Sequence, residues 1–482
     1  MRKIGLSRMF LITSVFCAAT MIPASAQTIT TLANFTGPNG SRPVAPLVQG
    51  TDGNFYGVTD FGGTPTSCIY SAGTGCGTFF KVTPTGDLTV LYSFCAQAKC
   101  ADGANPASLI QASNGNFYGV TEYGGPYSQG GNGFGTVFQI TPSGVLTTIY
   151  AFCAQAGCPD GNLPVALLQA SNGNFYGVAA SGANHSNGTV FTITPAGKFT
   201  VLYSFCAKTG CPDGGFPGNL MQASNKSLYG STQFGGAHNG GTLFQITPSG
   251  NFTNLYSFVH SQVNTLIQGG DGNLYGTQGA GGNQNHGTVF KVSAQGQLTY
   301  LHSFCQLNCA TGNSPLARLV AGSDGNFYGT NYLAGNAYYA GSIFGMTPSG
   351  GFDTLYLFCS QTNCLDGAAA AGLMQATNGT FYGVTAEGGT VTGSGTVYSM
   401  SLGLGPFVAA KPGFGSPGQV VRILGNGLTG TTSVTFNGVA ATFRVVSDTF
   451  IQAQVPTGAS TGMISVTTPS GTLLSNINFL VP

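Results

Sequence analysis

Three acids stand where the chain could do chemistry. Asp60 and Glu122 each end the stretches "NFYGVTD" and "NFYGVTE", and Glu387 follows "FYGVTA" one residue later. Carboxylates at matching places in neighbouring units can divide the work of general acid and base, or share a Ca²⁺ ion. The corresponding activity would be a polysaccharide lyase or hydrolase. Near the same place the other copies carry Ser181, Gln233, Gln278 and Asn331. Ionisation is therefore no requirement of the repeat, and the acids also read as solvated strand-end residues.

His185, His238 and His286 follow the same phrase in three consecutive copies, two of them four residues before a Thr and the third two before. Imidazoles on one rim would suit a transition metal; solvated Asn/Gly/His turns are the alternative. Tyr123, Tyr127, Tyr332, Tyr338 and Tyr339 lie outside the repeated phrase and are candidate contacts for a neutral ligand, with Gln233, Gln278 and Asn331 beside them. Arg318, in "PLARLV", is the only charged residue just before a recurring Leu. The other copies have Pro46, Ser108, Ala166, Asn219, Thr265 and Gly372 there. Arg318 reads as an anion contact in a central channel, or as a stem that snorkels to solvent.

Twelve of the thirteen cysteines pair at short range: Cys68/Cys76, Cys95/Cys100, Cys153/Cys158, Cys206/Cys211, Cys305/Cys309 and Cys359/Cys364. Each couple stands alone, and a zinc site needs a second couple close by. In an exported chain they read as disulfides. Closing so small a loop contributes about 2 kcal/mol at most, so their role is to stiffen the loop. The "DG" aspartates after these links, Asp102, Asp160, Asp213 and Asp366, read as turn residues.

The elements that must position these residues are short strands. Charged residues make up 6% of the chain, against about 25% in ordinary soluble proteins. Its 77 glycines interrupt nearly every apolar run. The long apolar run is "MRKIGLSRMFLITSVFCAATMIPASAQ", with a basic start, an apolar centre and a small-residue site at Ala24–Ala26. It predicts a secretory leader over residues 1–26 and an exported protein. Near-neutral charge without a basic patch argues against nucleic acid and anionic lipid, and nothing beyond the leader predicts membrane insertion.

An aromatic-Gly phrase recurs at Tyr56, Tyr118, Tyr176, Tyr229, Tyr275, Tyr328 and Tyr382, spaced 46 to 62 residues apart. Each copy belongs to a unit of four strand-like runs, as in "PASLIQAS", "NFYGVTEY", "GTVFQITP" and "VLTTIYAF". Adjacent apolar residues in the first run, led by Leu47 and its six counterparts, imply sheets covered on both faces. The phrase itself therefore reads as packing between sheets, and not as a sugar-stacking array. The seventh unit stops at "GTVYSMSLG" without its fourth run, and "TITTLANF" at 28–35 supplies one. The expectation is an all-β, seven-bladed β-propeller over residues 27–403, with the N-terminal strand completing the last blade.

The units resemble the GloVer tandem-repeat family of exported bacterial proteins over about residues 28–403. The resemblance implies a secreted repeat protein and carries no activity. The tail, "ILGNGL", "VTFNGVAATF", "SDTFIQAQVP" and "ISVTTPSG", resembles an IPT/TIG immunoglobulin-like β-sandwich, expected over 404–482. That resemblance implies a spacer or interaction module.

With the Leu-bearing strand innermost, the "ASNGN" and "TPSG" hairpins fall on one face of the ring. The cysteine links and the long variable loops fall on the other. The leading expectation is a secreted, non-catalytic protein that binds a neutral glycan or an extracellular protein through the variable-loop face. The lyase or hydrolase above and a structural cell-surface scaffold are the alternatives. No cofactor is required by this reading; Ca²⁺ or a transition metal would enter only through the acids or histidines.

Overall fold

The computed structural model describes residues 27–482 except 28, 65–67, 69–74, 130–131, 184–186, 261–262, 283–284, 294, 306–311, 334–339 and 392. The leader expected at 1–26, His185, Cys309, Tyr338 and Tyr339 lie outside the described residues. Among the described residues, no helix is long and apolar enough to cross a membrane.

The repeat region folds into four-stranded antiparallel sheets, seven among the described residues. Sheet 1 is Val48–Gln49, Phe55–Thr59, Thr78–Val82 and Leu88–Ser93; sheet 2 is Ala104–Gln111, Phe117–Tyr123, Thr136–Ile140 and Leu146–Ala151. Sheets 3, 4, 5 and 6 begin at Asn162–Gln169, Gly215–Gln222, Val263–Gln268 and Val320–Ala321, and each follows its own chain order. Sheet 7 does not. It takes Ala368–Gln375, Phe381–Glu387 and Thr396–Met400 from the end of the region and Ile29–Asn34 from its start. Ile29 pairs with Met400 and Asn34 with Thr396. The orphan run thus fills the place expected of it, and an exposed sheet edge is covered.

The recurring tyrosine joins the sheets. Tyr56 packs on Phe117 at 4.4 Å, Tyr118 on Phe175 at 4.3 Å, Tyr275 on Phe327 at 4.2 Å and Tyr328 on Phe381 at 4.5 Å. Tyr176 shares a core with Leu228, and Tyr229 with Leu274. From sheet 7, Tyr382 returns to Phe55 of sheet 1 at 4.1 Å. Strand-end glutamines add a polar stitch: the Gln169 side chain accepts from the Ser113 N–H, and Gln49 accepts from the Thr377 N–H between sheets 1 and 7. Each sheet is therefore covered on both faces, which is why its central strands are apolar at successive positions.

A second unit follows. Ala409–Lys411, Val420–Leu424, Phe450–Gln454 and Phe443–Ser447 form one sheet; Val439–Ala440, Ser433–Phe436, Ile464–Thr468 and Gly471–Leu474 form the other. Val421, Ile423, Val434, Phe436, Ile451, Ile464 and Val466 fill the space between them. It rests on the short hairpins that follow the first strands of four repeat sheets. Arg422 donates to the Ser113 carbonyl at 2.7 Å, Thr449 to the Thr51 carbonyl, Asn476 to the Ala321 carbonyl, and Thr377 to the Asn426 side chain at 2.7 Å.

The expected disulfides form between Cys68 and Cys76, Cys95 and Cys100, Cys153 and Cys158, Cys206 and Cys211, and Cys359 and Cys364. Cys305 is also bridged. Both cysteines of the Cys95, Cys153, Cys206 and Cys359 links hold left-handed backbone, with φ between 47° and 64°. That conformation costs an L-residue roughly 1–2 kcal/mol, so the covalent link holds a loop that the backbone alone would not favour.

Candidate functional site

Near its end, the second strand of six of the seven repeat sheets carries a buried hydroxyl or amide that faces the third strand; sheet 3 has Ala179 there. Thr59 meets Thr78 at 2.8 Å and Thr121 meets Thr136 at 2.9 Å. This pairing fixes the residue that follows. Asp60 and Glu122 therefore emerge at the same height on adjacent sheets, half-buried and close enough to repel one another. Burial pushes the Glu122 carboxyl up to about 7, with the Asp60 charge adding to the rise and Arg42 opposing it. Burial also raises Asp60, against a hydrogen bond from Asn105 and the charge of Arg42. The Tyr123 phenol is raised by burial and by both carboxylates.

Two members of this group escaped sequence reasoning. Arg42 and Asn105 precede the prolines that open the first strands, as do Leu163, Phe216 and Ser314 in other copies; all five have φ between 51° and 55°. The left-handed turn brings that residue to the rim beside the preceding sheet. Asn105 donates from its amide to Asp60 Oδ1 at 3.0 Å and to the Asp60 carbonyl at 3.1 Å. The Arg42 carbonyl accepts from the Asp60 N–H, and its guanidinium sits 5.7 Å from the Phe61 ring centre. The readable signal was a variable residue before a recurrent proline.

Only two of the three acids converge. Glu387 is exposed at the end of its strand and takes no part in the pair. His238 is exposed and His286 half-buried. Among the described residues, the sole cluster of potential metal-binding side chains is Cys76, Cys95 and Cys100, within 4.8 Å of one another. All three are already in disulfides, so no thiolate is free to ligate.

The ligand candidates divide. Gln278 and Asn331 are fully buried and are corrected to structural residues. Gln278 donates to the His260 carbonyl, and Asn331 donates to Ser342 Oγ at 2.9 Å, filling the place of the threonine pair. Gln233 is exposed, Tyr127 is 43% exposed, and Tyr123 and Tyr332 are half-buried. Phe216 adds a 37% exposed ring at the rim, packed 5.2 Å from Phe234. Arg318 lies away from this rim, two residues before the first strand of sheet 6.

The "DG" aspartates hold the loops, as expected. Asp102 accepts from Tyr92 at 2.7 Å and from the Ala96 and Gln97 N–H groups. Asp160, Asp213 and Asp366 bind Tyr150, Tyr203 and Tyr356 in the same way. A cleft of ≈430 Å³ opens over Tyr150, Asp160 and Phe199. It does not include the rim acids, and its one carboxylate already serves the Cys153 loop.

A tandem array of packed four-stranded sheets with variable loops at one end defines a repeat protein, and the family follows from its units. The chain belongs to the Gloeobacter/Verrucomicrobia repeat family, whose pattern matches residues 18–217, 209–398 and 260–441. Residues 408–481 match the IPT/TIG domain. No curated protein matches the chain. Among solved structures, the extracellular domain of a hybrid two-component system from B. thetaiotaomicron is similar, with 9% identity and a TM-score of 0.51. The match covers 95% of this chain and 59% of that one, so the chain spans little more than half its length. A protein described as a 6-phosphogluconolactonase from Bacteroides uniformis has 13% identity over 69% of this chain and 96% of its own, with a TM-score of 0.42. The likeness to the two-component extracellular domain concerns fold alone.

Proposed function

We propose that the chain is an exported, closed seven-bladed propeller that binds a neutral glycan or protein at its variable-loop rim. Closure is supported by the tyrosine contacts that run from each sheet to the next and return from Tyr382 to Phe55. Export is supported by the leader-like start and by the disulfides. The observation that carries the binding reading is the position of the sandwich. It occupies the short-hairpin end of the sheets, while Tyr127 on a loop and Phe216 and Gln233 at strand ends stand exposed at the opposite end. Exposed rings among uncharged polar groups suit the faces and hydroxyls of neutral sugars.

The test is an array of neutral oligosaccharides probed with the full chain and with a Tyr127→Ala/Phe216→Ala double variant. Retention by the parent should fall about tenfold or more in the variant. A parent that retains nothing at high micromolar concentration would sink the binding reading.

A second reading rests on Glu122. A carboxyl that ionises near 7 beside another carboxylate suits general acid or base work at neutral pH. Under that reading the chain cleaves a polysaccharide, and Glu122→Gln abolishes the cleavage while glycan retention persists. Cleavage that survives the substitution would rule it out.

A further inference from the structure

Two disulfides of the repeat region meet. Cys68 and Cys76 close a loop between the second and third strands of sheet 1, and Cys95 and Cys100 close the link from sheet 1 to sheet 2. Spacing along the chain makes each couple look solitary, but the fold sets one against the other. The sulfurs of Cys76, Cys95 and Cys100 lie within 4.8 Å of one another, and the Cys68 sulfur is bonded to that of Cys76. All four residues pack in one core with Phe79 and Phe94. Cys68, Cys76 and Cys100 are buried and Cys95 is half-buried, which leaves one edge of the cluster toward solvent. Among the described residues, no other link brings a third sulfur this close.

The S–S bonds are not all that holds these cysteines in place. The Cys95 N–H donates to the Gly103 carbonyl at 3.0 Å and the Cys100 N–H to the Gln97 carbonyl at 2.9 Å. The Cys100 carbonyl accepts from Gly103 at 2.9 Å and Gly125 at 2.8 Å, and the Cys76 carbonyl accepts from Asn105 at 2.9 Å. Asp102 clamps the same link through the Ala96 and Gln97 N–H groups. Opening the bonds would therefore leave four thiols gathered at one corner. A tetrahedral zinc ion with Zn–S bonds of about 2.3 Å needs sulfurs roughly 3.8 Å apart, a spacing this corner already approaches. Lys99 places a positive charge beside Cys100, which helps to offset the charge of clustered thiolates. The other four links have Gly157, Gly210, Asn308 and Asn363 at that position.

We propose that Cys68, Cys76, Cys95 and Cys100 form a redox-gated binding site for Zn²⁺. In the oxidised chain the sulfurs are engaged in two S–S bonds and hold no ion. A dithiol donor gives two electrons and two protons to each bond and is itself oxidised to a disulfide, leaving four cysteine thiols. One Zn²⁺ then binds the four sulfurs as thiolates, and four protons leave. Reoxidation reverses this: an acceptor disulfide takes two electrons and two protons for each bond, both S–S bonds re-form, and the ion is released. An all-sulfur set selects zinc over Ca²⁺ or Mg²⁺, which take oxygen ligands. A link standing alone offers two sulfurs and cannot complete the sphere. The corner is thus held by covalent bonds when oxidised and by the ion when reduced.

The test uses the full chain, reduced anaerobically with a phosphine that is then removed. Titrated Co²⁺ should give the charge-transfer and visible bands of a tetrahedral thiolate site at one ion per chain, and Zn²⁺ should displace it. With zinc bound, Cys68, Cys76, Cys95 and Cys100 should resist alkylation while the other cysteines react, as read by mass spectrometry. The oxidised chain should take up no ion. Cys95→Ser/Cys100→Ser should lose the cobalt bands, and Cys153→Ser/Cys158→Ser should keep them. Where reduction loosens the other sheets, a full-length chain that retains these four cysteines alone decides by the same titration. Cobalt bands that persist in Cys95→Ser/Cys100→Ser, protection spread evenly over every pair, or no uptake by the reduced chain overturns the proposal.

Discussion

Glu122 shows how one repeat position can acquire a property its counterparts lack. In the unfolded chain its carboxyl ionises near 4.5, and in the fold near 7. A carboxyl raised on folding favours the native state fully below the unfolded value and loses that advantage as pH climbs through the folded one. Stability should therefore fall between about pH 4.5 and pH 7, by up to ~3 kcal/mol. Glu122→Gln should flatten that slope in denaturant unfolding measured across the window; an unchanged slope would mean the group is not strained. Asp102 acts through its hydrogen bonds. It is fully buried and takes three donors, so Asp102→Ala orphans a phenol and two backbone N–H groups at a cost of about 3 kcal/mol. Chemical denaturation of this variant should give a correspondingly lower midpoint. The acid candidates were legible from their shared place after "FYGVT". Their meeting was not, because Arg42 and Asn105 reach the site through a backbone conformation that residue type scarcely signals.

At the scale of elements, the strand Ile29–Asn34 matters beyond its six residues. It supplies the outer edge of sheet 7, and Ala33 and Phe35 pack in one core with Leu47, Phe55 and Phe80 of sheet 1. Removing residues 27–36 would expose the ladder of Thr396–Met400 and open that core. The truncated chain should melt well below the parent in scanning calorimetry and aggregate through the freed edge. A melting temperature equal to the parent's would show that the seam adds nothing. The pattern of four runs was legible because period-2 strands, glycine turns and the recurrent Leu repeat together. The first strand was the least regular element: it has eight residues in sheet 2 and two in sheet 1. Strand ladders depend on a partner's geometry, which composition does not carry.

At the scale of the molecule, the sandwich and the repeat sheets meet through side chains bonded to backbone carbonyls, with Arg422 the most prominent. Such an interface is modest and polar, so its geometry rests on few contacts. Arg422→Ala combined with Thr449→Ala should increase the radius of gyration in small-angle scattering while leaving circular dichroism unchanged. An unaltered scattering profile would place the interface energy elsewhere.

The sequence by itself determined the repeat, the all-β class, the pairing of the cysteines and the borrowed N-terminal strand. Each of these is written in residues that are near in sequence or recur at a fixed place. Tertiary structure decided which acids meet, that Gln278 and Asn331 turn inward, and which end of the sheets the sandwich covers. Those outcomes depend on contacts between residues far apart in the chain, where burial, register and the direction of a single turn select among side chains that look alike in sequence.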